Sequence, residues 1–181
     1  MKLMSDFLHY HAFGLEIRSE FSIAQLPKTA STNADIWISQ ASLHNLNSPE
    51  DCVYSGNGVV NFKVSGVGRF RIMNGTHILV DTYPNYSESR LGIFLMGSCM
   101  GAILHQRGAM PLHGSCVTDG KRSILLTGDS GAGKSTLAAE FLRRGWKLIT
   151  DDVSALYDIE GVPMVQSSYP SQKLWQDALD R

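Results

Sequence analysis

The residues best suited to chemistry are Gly128-Asp129-Ser130-Gly131-Ala132-Gly133-Lys134-Ser135, which fill every fixed position of G-x-x-x-x-G-K-[ST]. Glycines let such a loop fold back so that successive backbone N–H groups point inward at phosphate oxygens. A helix beginning near Lys134 adds the positive end of its dipole and its unpaired N–H groups. On this Walker A pattern Lys134 reaches the β- and γ-phosphates, the Ser135 hydroxyl is a ligand for Mg2+, and Thr136 follows in the first helical turn. The chemistry this implies is binding of a nucleoside triphosphate, ATP in the simplest case, and movement of its γ-phosphoryl group. With glycine near 7% of residues in average proteins, the four fixed positions coincide by chance roughly once in tens of thousands of positions.

A pair of carboxylates, Asp151-Asp152, follows the next apolar stretch. Metal-assisted phosphoryl transfer needs a carboxylate that holds Mg2+ directly or through water, and a kinase also needs a base near the attacking hydroxyl. Adjacent residues at a strand end can divide these roles, since their side chains diverge to opposite faces. A solvated turn, or a cap for the next element, is the plainer alternative. His113, in Pro111-Leu112-His113-Gly114-Ser115, is either structural or a neutral imidazole bonded to the phosphate region or the attacking group. His9 and His11 suit a metal only on a strand with further ligands, and read as surface residues. Gly128-Asp129-Ser130-Gly131 also spells the segment around a trypsin-like nucleophile, but the Lys-Ser and helix that follow do not belong to an all-β protease.

The elements that must hold these groups change character along the chain. Residues 1–87 read as a β-rich N-terminal domain, with strands at 35–38, 59–64, 68–73 and 76–81. Phe62, Val64, Phe70, Ile72, Ile78 and Val80 alternate as one buried face requires, and Asn74-Gly75 signals a hairpin of type I′. Ser87 or Ser89 caps a connecting helix within 88–108, expected from Glu88 to Gln106. Residues 109–181 are expected to form an α/β P-loop domain, with His113 just before a strand that should precede Lys121. Strands are expected at 123–127, 147–150, 155–159 and 164–166, and a helix runs from Lys134 to about Arg144.

Composition narrows the setting. A net charge of −1 over 181 residues argues against a protein built to coat nucleic acid. The most apolar stretch, 91–104, has 14 residues. It rises only about 21 Å as a helix, short of the roughly 30 Å core of a bilayer, so no membrane partner is expected. Cys52, Cys99 and Cys116 make an odd set without CxxC spacing, which suggests neither a disulfide framework nor zinc and fits a reducing cytoplasm.

Three stretches together, Leu112-His113-Gly114-Ser115, Leu126–Ser135 and Leu148-Ile149-Thr150-Asp151-Asp152-Val153, resemble the P-loop domain of the HPr kinase/phosphorylase family. The stretches Ala12-Phe13-Gly14-Leu15, Gly66-Val67-Gly68-Arg69-Phe70, 101–108 and 168–175 are similar to HPr-kinase-related proteins, some of which accompany lasso-peptide biosynthesis and phosphorylate a serine of the precursor peptide. The resemblance implies an ATP- and Mg2+-dependent serine kinase whose partner is a peptide or small-protein acceptor. It assigns Asp151 as general base, Asp152 as the metal-side carboxylate (or the reverse), and His113 as a group assisting at the phosphates. Thr136 stands where bacterial HPr kinases usually carry Glu, and Lys173-Leu174-Trp175 occupies the region of their glycine-rich signature. Related proteins run on past the position of Arg181, so the resemblance implies a chain truncated at its C-terminus, and by family inheritance a homo-oligomer. A small-molecule or carboxykinase-like enzyme, and a nucleotide-binding module without transfer, are the competing functions.

Overall fold

The computed structural model describes residues 7–44, 46 and 54–168. Cys52, residues 1–6 and residues 169–181, which include Lys173-Leu174-Trp175, lie outside the described residues. The chain divides into two units, Met1–Gly108 and Ala109–Arg181.

Period-two alternation builds the first unit. Its strands are β1 (Leu8–Ala12), β2 (Leu15–Ser19), β3 (Ile36–Gln40), β4 (Tyr54–Gly56), β5 (Val59–Val64), β6 (Gly68–Met73) and β7 (His77–Thr82). They form one seven-stranded sheet in the order β1-β2-β3-β7-β6-β5-β4. β3 pairs in parallel with β2 and β7, and the other neighbours are antiparallel. Phe62, Val64, Phe70, Ile72, Ile78 and Val80 are all buried, so the alternating face read from the sequence is the core face. Each such side chain contributes about 1.5–3 kcal/mol on burial. Asn74 and Gly75 both take positive φ, and the Thr76 N–H donates to the Met73 carbonyl at 3.1 Å, closing the expected turn.

The sequence pattern missed β1, β2 and β4. β1 and β2 are five-residue strands whose outward positions carry His9, His11, Glu16 and Arg18, too short and too polar to stand out. Arg18 is held there by stacking, its guanidinium 4.1 Å from the Phe7 ring centroid and 4.7 Å from that of Trp37.

The Ser87 hydroxyl accepts the Arg90 N–H at 3.4 Å and so caps α1 (Glu88–Phe94). A π-helical turn (Leu95–Cys99) leads into α2 (Met100–Gln106). Leu91, Leu95, Cys99, Met100, Ile103 and Leu104 form the buried stripe of this segment. The Gln106 amide ties its end to two turns of the same unit, donating to Gly58 O at 3.1 Å and accepting from Gly75 N at 2.7 Å. Burial pushes the Cys99 thiol far above its ordinary range, so it packs as an apolar group. No helix among the described residues is long and apolar enough to cross a membrane.

The second unit comprises β8 (Met110–Thr118), β9 (Ser123–Thr127), α3 (Lys134–Arg143), β10 (Lys147–Thr150), β11 (Val153–Ile159) and β12 (Val162–Gln166). His113 thus lies inside a strand rather than ahead of one. Pro111 and Gly114 disguise that strand in the sequence, because both are poor residues for a sheet interior. All the pairings are antiparallel. Cys116, Val117 and Thr118 pair with both β9 and β10, so these two strands flank β8 and run in the same direction. The glycine loop and α3 form the crossover between them. α3 ends in a Schellman motif, with Gly145 N donating to Leu142 O at 3.0 Å and Trp146 N to Phe141 O at 3.1 Å. The Phe141 and Trp146 rings, 5.0 Å apart, supply the apolar contact that accompanies it.

Candidate functional site

The loop between β9 and α3 owes its shape to backbone conformations that glycine adopts without strain. Gly128, Gly131 and Gly133 have φ of 151°, 83° and 86°, and Gly133 immediately precedes α3. A Cβ on Gly131 or Gly133 would meet nothing within 4 Å, so conformation and not space calls for glycine there. The Ala132 N–H donates to Asp129 O at 3.1 Å and tightens the turn. Lys134 lies back along the loop, its Nζ donating to Gly128 O at 2.8 Å and Asp129 O at 2.9 Å. Its ammonium is therefore held over the loop rather than free in solvent.

The opposite wall comes from β8 and the junction of β10 with β11. Between the pairs Thr150↔Cys116 and Val153↔His113 both strands advance by the same number of residues. This sets Asp151 opposite Ser115 and Asp152 opposite Gly114. The ladder does not run smoothly through them. Asp152 has φ 77°, and the Val153 N–H donates to Asp151 O at 3.0 Å, a γ-turn with positive φ. Such a conformation is rare and strained for a residue with a side chain.

Three bonds from β8 pin this turn. Gly114 N donates to Asp152 O at 3.1 Å, Ser115 Oγ donates to Asp151 Oδ1 at 2.6 Å, and His113 Nδ1 lies 3.2 Å from Asp152 Oδ1. A second layer of hydroxyls supports the turn: Thr150 Oγ1 and Ser154 Oγ are in contact, and Ser154 Oγ donates to Gly114 O at 3.1 Å. Thr150, Ser154, Ser115 and Asp151 are all buried.

The expectation that Asp151 and Asp152 diverge to opposite faces is corrected by this turn. It interrupts the alternation of the strand, and both residues line one cavity. That cavity, of about 330 Å3, is walled by His113, Gly114 and Ser115 on one side with the two aspartates. The other side is Ser130, Gly131 and Gly133 of the loop with Lys134, Ser135 and Thr136 of α3. Its volume is at the lower end of the range of small-ligand pockets. Gly128, Asp129 and Ala132 shape the loop through their backbones without lining the cavity. His9 and His11 lie on β1 of the first unit, and among the described residues no group of three or more His, Cys, Asp or Glu could hold a metal.

Sequence reasoning gave Ser115 and Gly114 no role beyond their place in a motif. The only signal for them is register, which appears once β8 is known to be a strand. Gly114 has no room for a side chain, because a Cβ there would run into the Leu126 carbonyl oxygen of β9. Gly114→Ala is expected to destabilise the second unit by about 1–3 kcal/mol. A lowered denaturant midpoint would show it, and an unchanged midpoint would mean that the spacing of β8 and β9 adjusts freely.

Residues 107–175 match the family model described as HPr Serine kinase C-terminal domain. The matched stretch is similar in sequence to the HPr kinase family. Among curated relatives, the HPr kinase/phosphorylase of Clostridium beijerinckii is 48% identical over 50 residues, covering 28% of this chain and 17% of the relative. Those of Clostridium acetobutylicum and Clostridium tetani are 41% and 43% identical over 58 residues, 32% of this chain and 19% of each relative. The chain therefore spans less than a fifth of the length of these relatives. No solved structure matches. The matched range contains every lining residue of the cavity described above, from His113 to Asp152.

Proposed function

We propose that this chain is an ATP- and Mg2+-dependent P-loop serine kinase that transfers the γ-phosphoryl group to a peptide or small-protein acceptor. One observation carries the reading. The Walker A loop and the Asp151-Asp152 turn, far apart in sequence, are the facing walls of one cavity. The match of residues 107–175 to the HPr Serine kinase C-terminal domain model supports it, as do curated relatives named HPr kinase/phosphorylase.

In this reading the N–H groups of residues 130–135 and the start of α3 receive the phosphates. Lys134 Nζ leaves the Gly128 and Asp129 carbonyls for the β- and γ-phosphate oxygens, where its charge offsets the charge that builds up during transfer. The cavity's oxygen ligands fit a hard cation: the Ser135 hydroxyl and an Asp152 carboxylate oxygen would hold Mg2+. Bound there, Mg2+ would neutralise phosphate charge. Asp151 takes the proton from the acceptor serine hydroxyl as the serine oxygen bonds to the γ-phosphorus and the bond to the bridging oxygen of ADP breaks. His113, beside Asp152 Oδ1, orients that carboxylate and faces the phosphates.

The peptide acceptor rests on the likeness to kinases that accompany lasso-peptide biosynthesis. Cys99 and Cys116 are free and buried, which suits a reducing cytoplasm. The test is transfer from γ-labelled ATP with Mg2+ to a panel of serine-containing peptides and purified HPr. Label on a serine of one acceptor is expected. Tight ATP binding with no labelled acceptor would sink the kinase reading in favour of a nucleotide-binding module, and label on a small hydroxylated metabolite would move it to a small-molecule kinase.

A further inference from the structure

We infer that Ser115 is a positioning residue for Asp151, the group to which the reading above gives the acceptor's proton, and the inference rests on that reading. The observation is the bond from Ser115 Oγ to Asp151 Oδ1, 2.6 Å long and made between two buried residues in one cavity. A charge-assisted O–H···O⁻ bond of this length is at the strong end of the range.

A carboxylate on a one-carbon stem turns about χ1 and χ2, and only part of that range presents an oxygen to an incoming hydroxyl. Asp151 also sits at the first position of a strained turn, where the backbone does not hold it by regular pairing on both sides. The Ser115 hydroxyl fixes one carboxylate oxygen and so sets the direction of the other. Ser115 itself is rigidly placed. Its backbone is in the middle of β8, paired with Leu126 of β9 on one side and set opposite Asp151 on the other. The donor is therefore anchored in the sheet and imposes its geometry on the turn.

The bond has the outward form of an acceptor serine facing a base, so Ser115 must also be tested as a substrate. Ser115→Ala and Ser115→Cys, the second of similar size but with a weak donor, are compared with Ser115→Thr in the full chain. Transfer to the best acceptor is measured as kcat and KM, with an unfolding midpoint for each variant. Ala and Cys are expected to lower kcat about ten- to hundred-fold while leaving KM for ATP and acceptor within about two-fold. Thr is expected to restore most of kcat.

A wild-type kcat in both Ala and Cys would overturn the inference while leaving the kinase reading intact. So would a rise in KM with unchanged kcat, or a fall in kcat that follows the loss of folded protein in the midpoints. Phosphate found by mass spectrometry on Ser115 of the wild type would replace the positioning role with self-modification. If the wild-type chain transfers no label at all, the kinase reading and this inference fall together.

Discussion

Lys134→Ala is expected to lower kcat/KM for phosphoryl transfer by about 10²–10³-fold, roughly 2.7–4 kcal/mol of transition-state stabilisation. The physical basis is the position of the ammonium. It is held by the Gly128 and Asp129 carbonyls beside a cavity whose other groups include backbone N–H donors, hydroxyls, the His113 imidazole and two aspartates. Among the described residues lining that cavity, Lys134 is the one whose side chain carries a fixed positive charge. No neighbour there can replace it against the charge on a γ-phosphate. Alanine also releases the two carbonyls, but these bonds are solvent-exposed and their loss costs the fold little. The measurement is label transfer at matched ATP concentrations, with circular dichroism to establish that the variant folds. Undiminished transfer would mean that the loop is not the phosphate cradle, whatever its sequence.

Asp151→Asn is expected to lower kcat by about 10²–10⁴-fold with ATP affinity nearly unchanged. Asn keeps the shape of the side chain and an oxygen that accepts the Ser115 hydroxyl, so the turn at Asp152 should persist. What it removes is the capacity to take a proton. Because Asp151 is buried and close to Asp152, the amide also removes one negative charge near the phosphates. A modest tightening of ATP is therefore compatible with the role. Asp152→Asn should behave differently, raising the Mg2+ concentration needed for half-maximal transfer. If Asp152→Asn abolished kcat at saturating Mg2+ while Asp151→Asn shifted only the Mg2+ requirement, the two assignments would be exchanged. Isothermal titration of ATP alongside the kinetics separates these outcomes.

These two variants probe different kinds of information. The loop was legible because its constraints are local. Gly128, Gly131 and Gly133 are demanded by positive φ, and Lys134 and Ser135 by their distance along one turn and one helix start. The same holds for the strands whose apolar residues alternate, β5, β6 and β7, and for the helix that begins after Ser87. In each case the signal lies within a dozen residues, where backbone geometry and period of burial dominate.

The facing wall was only half legible. The carboxylates of Asp151 and Asp152 stood out by type, but their common orientation depends on a γ-turn, which no residue preference announces at Asp152. That turn lies where β10 and β11 both pair with β8, and the first half of β8 was hidden by Pro111 and Gly114. Once the register is fixed, Ser115 falls opposite Asp151, and His113 is within reach of Asp152.

The Walker A pattern, the likeness to HPr kinases and the alternating core of the first unit are each written in neighbouring residues and so were legible before the fold was known. That the loop and the aspartates share one cavity, and that β8 supplies donors to the aspartates, emerges only when the strands pair. Those relations join residues up to 40 positions apart, as in Ser154 Oγ to Gly114 O, and are set by strand register. Register is a property of paired strands, fixed by the packing of both faces together, and no single segment carries it.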